Sequence, residues 1–298
     1  MRELLRNCKI CPRQCGINRY EKKGLCGAGA EIRAAKAFLH QWEEPCISGT
    51  RGSGTIFLSG CNMKCVFCQN HNISQEHNGK EITIERLSEI MLELQAQAAA
   101  NINFVTPTPY AHHIAEAVSA AKKQGLAIPI VYNTNGYETV ETVEMLKGIV
   151  DIYLPDLKYY SDSYSLKYSG VRDYFRQASA AVAAMHAQVG YPEFDEAGMA
   201  NKGVIIRHLI LPGLWEDSKK IFEWIRGNIG KYAYVSIMSQ YTPMYKSGVY
   251  GEISRRITPE EYDKVLDSFF EAGLENGFMQ ERESASSDYT PDFDLLGL

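Results

Sequence analysis

Three features of membrane and secreted proteins are missing from the sequence. No apolar run in its 298 residues approaches the roughly 18 residues that span a bilayer. The opening, MRELLRNCKICPRQC, lacks the apolar stretch of a secretory signal peptide. No cysteine follows residue 68, whereas a disulfide scaffold spreads its pairs through a small secreted domain. We therefore expect a soluble, cytoplasmic protein that does not use a membrane as a partner.

The chain also lacks an excess of positive charge. The formal net charge is −5, and broad binding to a nucleic-acid backbone requires a basic face. The glycine-rich segment CISGTRGSGT at residues 46–55 lacks the G-x-x-x-x-G-K-[ST] pattern, so it is not a triphosphate loop. Nucleic acid is therefore not expected as a partner.

Short apolar runs that alternate with amphipathic segments predict an α/β fold. The runs expected to form strands are 55–58, 101–105, 128–132, 149–154, 204–209 and 234–238. The segments expected to form helices are 83–99, 112–124, 138–147, 173–188, 217–229 and a last helix opened by a Thr258-Pro-Glu-Glu261 capping box. Six strands, each followed by a helix, predict a parallel sheet with right-handed crossovers, as an open partial barrel or a doubly wound sheet. In either architecture, ligands bind at the carboxyl ends of the strands.

Three parts are expected along the chain. Residues 1–45 form a small Cys-rich segment, residues 46–250 the core barrel, and residues 251–298 a C-terminal helix and tail. Residues 1–30 have little periodicity, so this segment is expected to need a metal in order to fold. Residues 190–203 are expected to form a polar insertion before the fifth strand, and residues 283–298 a loosely held tail.

Three cysteines lie on one short loop after the first predicted strand. They are Cys61, Cys65 and Cys68, with C-x3-C-x2-C spacing. Three thiolates on such a loop can hold three corners of a [4Fe–4S] cluster and leave one iron open, whereas electron-transfer clusters take four cysteines. A chelating cosubstrate needs an open iron, just as catalytic zinc keeps an open position. The alternative is a structural zinc site that borrows a fourth ligand such as His71, although zinc knuckles favour paired C-x2-C units.

The loop resembles the signature of the radical S-adenosylmethionine (SAM) superfamily, C-x3-C-x-aromatic-C, with Phe67 in the aromatic place. The flanks Ser59-Gly60-Cys61 and Cys68-Gln69-Asn70 resemble those of enzymes that activate glycyl-radical proteins. They are most similar to homologues of pyruvate formate-lyase activating enzyme that carry an extra N-terminal cysteine segment. The resemblance extends from Cys8 to about Gln280, and it implies a partial (β/α)6 barrel.

The resemblance also implies a reaction and its partners. The methionine group of SAM chelates the open iron, and the reduced cluster breaks the sulfonium C–S bond to give a 5′-deoxyadenosyl radical that abstracts a hydrogen atom. The implied partners are a low-potential electron donor, such as flavodoxin or ferredoxin, and a glycyl-radical protein as substrate. The alternatives are modification of RNA or of a small molecule by the same chemistry, and a non-catalytic iron–sulfur or zinc-binding protein.

Cofactor contacts are implied in the loops after the second and third strands. The family grips the methionine amino group with a Gly-Gly-Glu-type segment. This chain has Thr106-Pro-Thr108-Pro-Tyr110 there, whose carbonyls and hydroxyls can accept the same hydrogen bonds. A rigid turn made by the two prolines is the structural alternative. Asn133 and Asn135 are expected to face the cofactor, and the alternative for them is a plain Asn-Gly turn.

Further cofactor contacts are expected in or after the fourth, fifth and sixth predicted strands. By resemblance, Asp156 and Lys158 meet the ribose and carboxylate of the cosubstrate, and a surface ion pair is the alternative. Arg207 lies within an apolar strand and would be costly without a partner. The family places a carboxylate-binding arginine there, and the alternative is an internal ion pair with an Asp or Glu. By resemblance, Gln240 fills a position after the sixth strand where relatives often use a histidine near the ribose.

Four more cysteines precede the barrel. Cys8, Cys11, Cys15 and Cys26 can form either a tetrahedral zinc site or a second iron–sulfur cluster. Cys46 stands alone, so we expect it to serve packing.

Overall fold

Ten strands are described in the computed structural model, which covers residues 2–280 and 291–298. In chain order they are β1 (Ile32–His40), β2 (Ser53–Leu58), β3 (Lys80–Ile82), β4 (Ile102–Val105), β5 (Ile130–Thr134), β6 (Ile152–Pro155), β7 (Glu193–Phe194), β8 (Ala200–Leu209), β9 (Tyr234–Met238) and β10 (Asn276–Met279). Strands β2, β4, β5 and β6 are buried along their whole length, as expected for apolar, β-branched runs covered on both faces.

The strands form one open sheet in the order β10-β9-β8-β6-β5-β4-β2-β1-β3, with β7 paired to β8 outside this path. The pairing is parallel from β10 to β2 and antiparallel at β1 and β3. The six predicted strands therefore lie side by side in chain order. The predicted α/β fold with a partial barrel is confirmed.

Ten α-helices are described beside the sheet. They are α1 (Arg2–Arg6), α2 (Pro45–Ser48), α3 (His71–Ser74), α4 (Ile84–Ala96), α5 (Ala111–Lys123), α6 (Val140–Met145), α7 (Asp162–Ser169), α8 (Tyr174–Val189), α9 (Trp215–Asn228) and α10 (Pro259–Glu271). Short 3₁₀ turns cover Thr108–Tyr110, Ser247–Val249 and Gly251–Ile253. Within the described part of the chain, no helix is long and apolar enough to cross a bilayer.

Local sequence signals set the helix boundaries. The hydroxyl of Thr83 accepts a hydrogen bond from the backbone of Arg86 at the start of α4. The capping box of Thr258 and Glu261 is present at the start of α10. Gly170 ends α7 in the left-handed conformation.

Four strands were not predicted, and three of them depend on distant partners. β1 pairs with β2 and β3, and β10 extends the sheet beside β9. Within residues 190–203, which were predicted as a polar insertion, β7 and the start of β8 form a short antiparallel ribbon.

The prediction of a loose C-terminal tail is wrong for residues 291–298. The backbone of Ala37 in β1 donates to Leu296 O at 2.9 Å, and the backbone of Leu295 donates to Ala35 O at 3.1 Å. The ring of Phe293 packs on Phe57 with 5.3 Å between centroids. This segment therefore adds hydrogen bonds along β1. Residues 283–290 of the predicted tail lie outside the described residues.

Candidate active site

The three cysteines of the C-x3-C-x2-C loop line a cavity of about 200 Å³ at the carboxyl ends of the parallel strands. The segments that follow β2, β4, β5, β6 and β9 contribute to its wall, and β8 contributes Arg207 and Leu209 from the strand itself. The residues predicted as cofactor contacts that line the same cavity are Phe67, Thr106, Asn133, Asn135, Asp156, Lys158, Arg207 and Gln240. Residues that are far apart in the sequence are thus brought to one site.

Each thiol of the loop has a polar neighbour. The amide of Asn135 donates to Cys61 Sγ at 3.2 Å, and the hydroxyl of Ser169 donates to Cys65 Sγ at 3.0 Å. Cys68 Sγ lies 3.2 Å from the hydroxyl oxygen of Ser74. Burial raises the pKa of both Cys61 and Cys65 to about 11, so these thiols need a bound cation to become thiolates at neutral pH.

The donor set fits a cluster better than a single ion. Within the described residues, no three His, Cys, Asp or Glu side chains are arranged around one metal ion. The three thiols instead share the wall of a cavity, with hydrogen-bond donors already directed at two of the sulfurs. His71, the alternative fourth ligand for zinc, stacks on Tyr245 with 4.6 Å between ring centroids and does not line this cavity.

A charged network forms another part of the cavity wall. Arg207 Nε lies 3.0 Å from Asp156 Oδ1, and Lys158 Nζ lies 2.5 Å from Asp156 Oδ2. Arg207 Nη2 donates to Asn133 Oδ1 at 2.6 Å. Burial opposes ionisation of Asp156, but the two cations outweigh it and hold its pKa below the usual range. The site therefore keeps fixed charges of both signs beside the cysteines.

Glu43 is a member of this network that the sequence analysis missed. It lies between β1 and α2, its side chain is 8% exposed, and its Oε2 lies 3.6 Å from Arg207 Nη1. Its Oε1 accepts a hydrogen bond from the amide of Asn103 at 3.0 Å. Arg207 thus has two internal carboxylate partners, as the ion-pair alternative anticipated. The only indication of Glu43 in the sequence was that Arg207, within an apolar strand, required a carboxylate partner.

A larger cavity of about 600 Å³ adjoins the first. Asn133, Arg207 and Gln240 line both cavities. The larger cavity is also lined by Trp42, Glu43, Glu44, Phe278 and Gln280. Its size suits a small ligand or a short peptide segment beside whatever the first cavity holds.

The structure places the predicted cofactor contacts Thr106, Thr108 and Gln240 in three different environments. Thr108 does not line either cavity, because its hydroxyl donates to Glu138 Oε1 at 2.6 Å in the interior. Thr106 lines the smaller cavity with φ of 60°, a strained conformation for a β-branched residue. Gln240 Oε1 accepts a hydrogen bond from the amide of Gln280 at 3.1 Å, which fixes its orientation.

The other cysteines separate into two groups. Cys8, Cys11 and Cys26 are buried and Cys15 is exposed, all in the segment that contacts the back of the cluster loop. Cys46 is buried in an apolar cluster, as expected for a packing residue.

Comparisons with known proteins identify the family of the chain. The sequence model of the Radical SAM superfamily matches residues 55–225. An uncharacterized protein of Methanocaldococcus jannaschii is 35% identical over 276 residues, which cover 89% of this chain and 75% of the relative. The pyruvate formate-lyase 1-activating enzyme of Escherichia coli K12 is 27% identical over 192 residues, or 59% of this chain and 70% of that enzyme.

Solved structures show a similar fold. Streptococcus suis SuiB bound to S-adenosylmethionine matches 74% of this chain with a TM-score of 0.51 and 14% identity. SuiB bound to its precursor peptide SuiA gives the same TM-score at 16% identity. The chain spans about half the length of SuiB, 48% and 46% in the two structures. At this identity the likeness concerns the fold alone.

Proposed function

The chain belongs to the radical SAM superfamily, and on that premise we propose that it abstracts a hydrogen atom from a glycine of a partner protein and so activates that protein. One observation carries the proposal: three cysteines with the family spacing and eight further predicted contacts line a single cavity at the strand ends. The family implies a [4Fe–4S] cluster and SAM as the cofactors.

We propose Cys61, Cys65 and Cys68 as the cluster ligands. Three thiolates leave one iron without a protein ligand, which is the position that a chelating cosubstrate requires. When both are bound, the cluster and SAM supply a 5′-deoxyadenosyl radical by one-electron cleavage of the sulfonium. The protein supplies position and shields the radical from water.

The charged wall orients the cosubstrate. Lys158 has further N–H donors beyond its bond to Asp156, so it binds the methionine carboxylate, and Arg207 adds positive charge to the same wall. Asp156 holds both cations in place and has an acceptor role toward the ribose. Phe67 packs edge-on against Tyr241 with 5.7 Å between centroids and gives the cavity an apolar side.

The larger cavity is the proposed entry for the glycine-containing segment. It adjoins the cofactor cavity along Asn133, Arg207 and Gln240, so a segment bound there lies next to the cosubstrate. The similarity to the E. coli activating enzyme supports a protein substrate. A flavodoxin or ferredoxin supplies the electron.

The test is direct detection of a protein radical. The reconstituted, reduced protein is incubated anaerobically with SAM and each glycyl-radical protein of the source organism, and electron paramagnetic resonance (EPR) is recorded. We expect a glycyl-radical signal on one partner, with about one 5′-deoxyadenosine formed per radical. The Cys65→Ala variant serves as the control and should give no signal. If 5′-deoxyadenosine forms but no partner acquires a radical, the substrate belongs to another class.

A further inference from the structure

The N-terminal cysteine segment, residues 8–26, is joined directly to the cluster loop. The backbone N–H of Cys61 donates to Cys26 O at 3.1 Å. Gly60 has φ of 92°, and a Cβ added there would lie 2.5 Å from the same carbonyl oxygen, so only glycine permits this approach. The guanidinium of Arg13 donates to Asn62 O at 2.8 Å, which fastens the segment a second time.

A buried cation in this region has no carboxylate partner among residues 2–280 and 291–298. The exposed fraction of Arg19 is 3%, and its guanidinium donates to Pro109 O at 2.5 Å and to Cys8 Sγ at 3.1 Å. A buried charge without a counter-charge is costly. A metal–thiolate complex is an anion, and it would supply the missing charge at Cys8.

The four cysteines lie in one region of the segment. Cys8 O accepts a hydrogen bond at 2.9 Å from the backbone N–H of Gly16, the residue after Cys15, and Cys8 and Cys11 pack in one cluster with Ile17. A Cβ added at Gly24 would lie 3.2 Å from Cys26 Sγ and 3.7 Å from Ile17 Cδ1, so Cys26 lies beside the same cluster. Cys8, Cys11 and Cys15 form a C-x2-C-x3-C run, the reverse of the spacing in the active-site loop. Four cysteines can hold either zinc or a cluster, but structural zinc sites usually combine two short cysteine pairs. Here a run of three closely spaced cysteines precedes a distant fourth, a spacing similar to that of the cysteine runs that hold [4Fe–4S] clusters.

We propose that Cys8, Cys11, Cys15 and Cys26 hold a second [4Fe–4S] cluster that passes electrons to the active-site cluster. The connection runs from Cys26 Sγ through its own backbone carbonyl, across the hydrogen bond to the Cys61 amide, and on to Cys61 Sγ. Cys15 is the exposed ligand, so electrons enter at that side. The inference rests on the proposed radical SAM function.

The electron balance is simple. A carrier protein with a reduced flavin or iron–sulfur centre loses one electron to the second cluster. The second cluster then returns to its oxidised state as the active-site cluster gains that electron. No bond forms or breaks in the relay, and no proton is required.

The first test is the metal content of the full chain purified anaerobically. We expect about eight irons and eight sulfides per chain with little zinc. The double variant Cys11→Ser/Cys26→Ser should keep about four irons, and Cys46→Ser, which alters a packing cysteine, should keep about eight. A wild-type content of four irons with one zinc, or of four irons alone, overturns the second cluster without any need for a folded variant.

The second test separates a relay from a structural role. Reduction of the active-site cluster is followed by EPR with dithionite and with reduced flavodoxin. In Cys11→Ser/Cys26→Ser, the ratio of the flavodoxin-driven to the dithionite-driven rate should fall about tenfold. An unchanged ratio overturns the relay, whatever the absolute rates. The proposed function fails separately if the wild-type protein with eight irons, reduced by dithionite and supplied with SAM, forms no 5′-deoxyadenosine.

Discussion

Asp156 and Arg207 meet at the carboxyl ends of neighbouring strands as an ion pair that is almost closed to solvent. Arg207 Nε lies 3.0 Å from Asp156 Oδ1, and the side chains are 15% and 8% exposed. The backbone N–H of Leu157 donates to Arg207 O at 2.8 Å, so the pairing of the strands fixes the position of both residues. The pair therefore serves the fold and the cofactor cavity together.

Replacing Arg207 by methionine should destabilise the protein by about 3–5 kcal/mol, because Asp156 and Glu43 would remain buried without their counter-charge. Urea unfolding measures the loss. The matched control is Arg86→Met, which breaks an exposed pair with Glu93 and should cost at most about 1 kcal/mol. Equal losses in the two variants would contradict the assigned role of the buried pair.

Gly136 and Gly148 provide a comparison in which the backbone conformation is held constant. Their φ angles are 77° and 76°. A Cβ at Gly136 would lie 2.2 Å from Asp156 O, whereas nothing lies within 4 Å at Gly148. Gly148→Ala should cost about 1 kcal/mol from φ alone, and Gly136→Ala should cost more and also weaken SAM binding. Equal stability and affinity in the two variants would argue against the close packing of this loop.

Ser169 is expected to tune the reduction potential of the active-site cluster. Its hydroxyl donates to Cys65 Sγ, and hydrogen bonds to cluster sulfurs raise the potential. A hydrogen bond that stabilises the reduced cluster by about 1 kcal/mol raises the one-electron reduction potential by roughly 40 mV. Ser169→Ala should therefore lower the potential by about this amount in a redox titration. Ser119→Ala, whose hydroxyl bonds Ala115 O in α5, should leave it unchanged.

Glu138 should give stability a pH dependence. Burial raises its pKa to about 7, against hydrogen bonds from Thr108, Thr134 and Tyr132. A carboxyl whose folded-state pKa is raised binds more protons when folded, so stability falls as pH rises from about 4.5 to 7. Relative to Glu138→Gln, the free energy of unfolding of the wild type should fall by about 3 kcal/mol over this range. A difference that stays constant with pH would refute the raised pKa.

The sequence was sufficient for the core strands and the cysteine loop because both signals are local. The run before Cys61 is apolar and β-branched, and the spacing of the three cysteines is contained in one loop. The position of Asp156 and Lys158 followed from their place after a strand, since parallel strand ends meet at one edge of a sheet.

Features that depend on distant pairing could not be predicted in this way. Glu43 precedes the barrel, and only the folding of β1 beside β2 brings it to Arg207. Thr106 and Thr108 look alike in the sequence because each is a threonine followed by a proline. The hydroxyl of Thr108, however, donates a hydrogen bond to Glu138 inside the protein. The segment 291–298 is held by backbone hydrogen bonds to β1, which lies near the other end of the sequence.

Cleavage of SAM tests the central claim most directly. The reconstituted, dithionite-reduced protein is incubated with SAM without oxygen, and 5′-deoxyadenosine and methionine are quantified. We predict that the wild type forms both products and that Cys65→Ala forms neither, while Cys46→Ala remains active because it alters only a packing cysteine. A wild-type protein with its active-site cluster intact that forms no 5′-deoxyadenosine, or a Cys65→Ala variant that still forms it, would contradict the assignment.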